Sequence, residues 1–87
     1  MQVSINGLPA EANLDLRRMA GQIGVEELYV DDRPVVRVTH SRTDDVPVIL
    51  AIDEETIVEV DPQSFYSLNG MHHDWQPGSQ EGSLSAG

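Results

Sequence analysis

Val3 and Ile5 alternate with Gln2 and Ser4, and Asn6-Gly7 follows without a break. Alternation with a period of two marks a strand that buries one face. Asn-Gly accepts the positive φ angles of a tight hairpin turn, so the chain must reverse almost as soon as it begins. The return, residues 8–12, is poor strand material. Pro9 cannot donate to a ladder and confines this segment to an edge or a bulge.

The pattern then becomes helical. Asn13 reads as an N-cap, and Asp15 falls in the first turn, where the helix dipole favours negative charge. Leu16, Met19, Ala20 and Ile23 share one face at spacings of three and four, with Arg17 and Arg18 turned away. Gly21 or Gly24 supplies the stop. The expectation is one helix of about three turns at most.

From Glu27 onward the chain reads as strands. Leu28, Tyr29 and Val30 lead into the turn signal Asp31-Asp32, and a strand resumes at or just after Pro34 and runs to Thr39. A polar loop, residues 41–45, precedes the apolar and largely β-branched run 46–52, which reads as a buried strand. Asp53-Glu54-Glu55 makes a charged turn, and residues 56–60 form the next strand. Phe65, Tyr66 and Leu68 close the apolar content as a short strand or a segment laid over the core. A hairpin, one helix and several strands imply an α+β domain in which the helix covers one face of a mixed sheet, the β-grasp arrangement.

Composition limits the alternatives. Eighty-seven residues suffice for one domain, expected over 1–70, with 71–87 as a flexible polar tail in which Met71 and Trp75 are the local anchors. With zero cysteines there is neither a disulfide framework nor a thiolate metal site. The formal net charge is −10, which repels nucleic-acid phosphates and favours a basic protein partner. No stretch approaches the roughly 20 apolar residues of a membrane helix. The opening residues lack the basic lead and apolar run of a signal peptide, so the expected location is cytoplasmic.

Few clusters carry chemistry. His72 and His73 are adjacent, and on an extended chain they point to opposite faces, which disfavours a shared metal ion. His40 is distant in sequence. Asp31-Asp32, Asp44-Asp45 and Asp53-Glu54-Glu55 sit at turns, where carboxylates are solvated and alike, unlike the contrasting pair that acid–base catalysis needs. Four aromatic side chains in total are too few to line a cofactor pocket. The expectation is a protein that is not an enzyme and takes no cofactor or metal.

Several stretches together resemble a known family. MQVSINGLP is similar to the opening of ubiquitin-like sulfur carriers and bacterial multi-ubiquitin domains. LDLRRMAG followed by ELYV resembles the helix and third strand of the latter, and LAIDEETIVEV and QSFYSLNG resemble their closing unit. Residues 33–48 fall outside the likeness, and the chain ends Ser-Ala-Gly without the paired glycines of activated members. The resemblance implies a β-grasp binding module or protein modifier. Its partners would be activating and conjugating enzymes and a processing protease. The C-terminal Gly87, or Gly70 after cleavage, would be the residue conjugated. All five basic residues are arginine, so such a modifier has no lysine on which to build chains. Recognition would use the sheet face, with Val36, Val38 and Leu50 as candidates. The competing expectation is an acidic inhibitor of phage type, or a small accessory subunit, that occludes a basic nucleic-acid-binding protein through Asp53, Glu54 and Glu55, with Trp75 as a further anchor for a partner.

Overall fold

The computed structural model describes residues 1–18, 20–21, 25–40 and 45–78. In chain order the elements are β1 (Gln2–Ile5), β2 (Leu8–Glu11), β3 (Leu14–Arg18), β4 (Glu26–Val30), β5 (Arg33–Pro34), β6 (Arg37–Thr39), β7 (Val48–Asp53), β8 (Thr56–Val60) and α1 (Pro62–Tyr66). The described chain is thus a mixed α+β structure. Its strands form a five-stranded sheet of order β2-β1-β8-β7-β6 and a three-stranded sheet of order β3-β4-β5, with every neighbouring pair antiparallel.

The turns follow from their residues. Asn6 and Gly7 take φ angles of 51° and 84°, both positive, as a two-residue hairpin requires. Asp31 and Asp32 do the same at 50° and 67°. Asp31 tolerates this because its carboxylate accepts the backbone N–H of Asn13 at 2.9 Å, a local bond of the kind that favours Asp in left-handed positions. Pro9 lies on β2, an edge of the five-stranded sheet, where its missing donor leaves no bond unmade inside the sheet.

Among the described residues the expected helix is absent. Leu14–Arg18 is a strand paired with β4, and Leu14 and Leu16 lie opposite Val30 and Leu28. Leu16, which fits the helical spacing with Ala20, also fits a period of two with Leu14. A short isolated helix is marginal in water, and Gly21, at φ 76°, interrupts the span. Pairing with β4 instead sets Arg17 and Arg18 opposite Glu27 and Glu26, a favourable cross-strand arrangement. Met19 and Ile23, two members of the supposed helical face, lie outside the described residues. The β-grasp expectation therefore loses its crossing helix. The one helix described is α1, where a strand or covering segment was expected. Asp61 caps it by accepting the N–H of Ser64, and Pro62 fits its first turn.

Two corners join the sheets. At the first, Ala12 bonds to Met1 on β1's side (3.0 Å), while the next residue, Asn13, accepts from Asp31 beside β4 (2.9 Å). At the second, Val35 donates to Leu28 of β4 and Val36 to Ala51 of β7, both at 2.9 Å. A chain that changes sheet at a bend is the usual device for making a corner. With β2 running on as β3 and β5 as β6, the strand neighbours form a complete circuit, closed where Val3 lies opposite Val60. The result is a small barrel-like ring.

The core fills this ring from both sheets. Val38, Val48, Leu50, Val58 and Val60 point inward from one and Leu14, Leu28 and Val30 from the other. The chain after β8 completes it, with Phe65, Met71 and Trp75 all in the same cluster. Packing thus continues past Gly70 to Trp75, and residues 79–87 of the expected tail lie outside the described residues. Gly70 has φ 90°, and a Cβ there would sit 3.1 Å from Leu16 Cδ2.

Replacing Gly70 with alanine should lower stability by about 1–3 kcal/mol, read as a fall in the thermal midpoint, because positive φ and the close leucine both oppose a Cβ. Trp75→Ala should cost about 3–5 kcal/mol. The buried indole N–H of Trp75 has no acceptor among the described residues, so Trp75→Phe should cost much less. Equal losses in the two Trp75 variants would show that its packing had been misread.

Candidate functional site

The turn between β7 and β8 is tied down from two directions. Asp53 accepts the backbone N–H of Glu55 at 2.8 Å and the guanidinium of Arg33, on β5, at 2.7 Å. From the other side Asn6 reaches across from the first hairpin. Its Nδ2 donates to the Glu55 carbonyl, its Oδ1 accepts from Ile57 N–H (both 2.9 Å), and its own N–H donates to the Ile57 carbonyl (2.8 Å). The Asn-Gly pair therefore makes one turn and also braces another. The Arg33–Asp53 pair is half-exposed, and such pairs add little stability. Its value here is positional.

Asp53 holds its proton less tightly than an ordinary carboxyl. The backbone N–H of Glu55 is the main cause, followed by the Thr56 side chain and the charge of Arg33. Like Asp53, Glu54 and Glu55 are exposed. The three carboxylates thus divide the work, with Asp53 fixing the turn and the two glutamates presented to solvent.

Beside the turn lies an open cleft of about 380 Å³ lined by Val36, Arg37, Ala51, Ile52, Asp53 and Glu54. Its apolar side owes much to the second corner. Val35 is buried and Val36, its neighbour, is 64 % exposed, as the pleat dictates when the chain crosses between sheets. A register shift between Ala51 and Asp53 bends β7 at the same place. A further hollow of about 310 Å³ is bounded by Asp53, Glu54 and Glu55. The arrangement is a small apolar floor with a fixed acidic rim. It suits the stem and head of a long basic side chain, whose methylenes cover apolar surface while its charge stays wet.

The other expected residues are placed differently. Val38 and Leu50 are buried, so Val36 alone of that trio faces out. Trp75 is 1 % exposed and serves the core; it offers no surface to a partner. Gly70 is a turn residue followed by the buried Met71, so a cut after it would strip Met71 and Trp75 from the core. Gly87 lies outside the described residues, as does Asp44. Two of the histidines, His40 and His73, pack the C-terminal segment, and His72 is exposed. His40 Nε2 contacts the Trp75 carbonyl at 2.9 Å and therefore donates to it, while Nδ1, 2.8 Å from the Tyr66 hydroxyl, accepts from it in the neutral ring. His73 stacks on Tyr66 with ring centroids 4.0 Å apart. Among the described residues no three His, Asp or Glu side chains are grouped to hold a metal ion. The cleft at Val36 had a faint sequence signal, two valines in succession after a proline, but nothing local announced that β7 would bend towards it.

A depressed carboxyl stabilises the fold above its unfolded pKa, and that contribution is lost as pH falls through the folded value. The stability gap between the parent and Asp53→Asn should therefore be full near neutrality and shrink below the ordinary Asp value of 3.8. Thermal melts across an acid series check this, and a gap independent of pH would refute it.

No family model, curated protein or solved structure matches the chain.

Proposed function

We propose that this protein is a non-catalytic binding module that recognises a basic polypeptide partner through the cleft beside the β7–β8 turn. The observation that carries this reading is the joining of an exposed apolar side chain, Val36, to a braced rim bearing Glu54 and Glu55. Exposed charge and apolar floor together provide steering and a seat. Net charge of −10 draws a cationic partner from a distance. The same charge opposes a second copy of the chain as the occupant.

Catalysis is the poorer fit for these carboxylates. Asp53 is held in its ionised form by turn bonds, and the two glutamates share an exposed setting, so no acid and base are set apart. Of the two expectations from sequence, the cleft favours the acidic binder of a basic surface. The modifier reading relied on Gly70 or Gly87, and Gly70 is occupied in the fold.

The test is binding of a fluorescein-labelled arginine hexapeptide at low salt, followed by anisotropy. Glu54→Gln with Glu55→Gln should weaken it about five- to tenfold, mostly through the association rate. Asp31→Asn, a charge loss on the other sheet that keeps the turn chemistry, should change it little. If the peptide does not bind, or if Asp31→Asn weakens binding as much as the double glutamate variant does, the reading fails.

A further inference from the structure

A second hollow lies at the far end of the same hairpin. It is an open groove of about 500 Å³ over β1 and β8, and it reaches the start of α1. Asp45, Glu59 and Asp61 line it, all exposed, together with Pro47, Pro62 and the edge of Val60. Among the described residues no arginine or histidine lines it.

The two hollows belong to one face. Residues directly opposite each other in a ladder point to the same side. Ser4 lies opposite Glu59, Glu59 opposite Ile49, and Ile49 opposite Thr39. One step along, Ile57 lies opposite Ala51, and Ala51 opposite Arg37. This outer face of the five-stranded sheet thus runs from Glu59 at the groove to Ala51 and Arg37 at the cleft. Along β7 the interval from Pro47 to Asp53 is six residues, about 20 Å at the rise of an extended strand.

Charge is divided between the two sides of the ring. Arg17 and Arg18 are on β3 and Arg33 on β5, all in the three-stranded sheet. Arg17 is taken up by Asp15 and Asp32 and lies 4.2 Å over the Tyr29 ring, and Arg33 is taken up by Asp53. On the larger sheet's outer face the described arginine is Arg37, on the β6 side of the cleft, where it would turn an incoming cation towards Glu54.

We infer that the two hollows are the ends of one binding track, and that its occupant is an extended basic segment of a partner polypeptide lying along the β7–β8 hairpin. One cationic side chain sits among Asp45, Glu59 and Asp61, and a second sits over Val36 against Glu54. The strand between them crosses the outer face at Ile49 and Ala51. In an extended segment, residues six apart project to the same side and span about 20 Å, which matches the interval between the hollows. This inference rests on the binding reading of the cleft and adds the groove, the spacing and the conformation of the ligand.

Two labelled decapeptides of equal composition test it, built from Gly, Ser and Thr with two arginines either six residues apart or adjacent. The spaced peptide should bind at least about fivefold tighter, a linked pair of weak sites gaining from their connection. The variant Asp45→Asn/Glu59→Gln/Asp61→Asn should erase that preference. Asn replaces Asp61 as an equally good helix cap, and a retained thermal midpoint would confirm that folding is intact. Equal binding of the two peptides, sensitive to Glu54→Gln/Glu55→Gln and not to the groove variant, would overturn the track and leave the cleft standing. Failure of both peptides together with the arginine hexapeptide would overturn both.

Discussion

The pairing of β1 with β8 is the bond set on which the molecule depends. Val3 opposite Val60, and Ile5 opposite Val58, bring the beginning of the chain onto a strand more than fifty residues later. Without that seam the remaining ladders would form an open meander with β1 and β8 both exposed as edges, and the valines of each would face water. With it, the two corners have a ring to close and the inward side chains a common interior. The helix and the segment after it then complete the interior. Phe65, Met71 and Trp75 have an apolar place to go because the strands already enclose one.

Much of this was legible locally. Asn6-Gly7 and Asp31-Asp32 are turns for reasons carried by those residues alone, and the alternation around Val3 and Val58 fixed which side chains face in. Leu14–Arg18 was not legible, since Leu16 fits a helical face with Ala20 as well as a strand face with Leu14, and only the partner strand decides between them. Trp75 shows a different failure. It stands among polar residues and reads as part of a loose tail, yet one large apolar side chain suffices to bind a polar segment to the core when the ring leaves room for it. The site was half legible. Asp53, Glu54 and Glu55 were visible as an acidic turn, but the neighbouring Val36 acquired its meaning from a change of sheet that no short window of sequence records.

Rigidity links the fold to the binding reading. Two glutamates on a floppy turn would lose conformational freedom on meeting a partner, and that loss would offset much of the attraction. Here Asn6 and Arg33 hold the turn in place beforehand from two other hairpins. Arg17 is paired with Asp15 and Asp32 in the smaller sheet and Arg33 with Asp53 of β7, while Asp45, Glu59 and Asp61 gather at the groove on the larger sheet. Charge and stiffness thus coincide on one side of the ring.

The seam between β1 and β8 also has a consequence for synthesis. As the chain leaves the ribosome, β1 can pair with β2 at once, but its other edge has no partner until residues 56–60 emerge. The interior is not complete until Trp75 follows. Contacts of such sequence separation form late, so the ring closes only after most of the chain has been made. Asp53, Glu54, Glu55 and Glu59, the carboxylates that border the last strands to emerge, then oppose the joining of those strands on neighbouring chains.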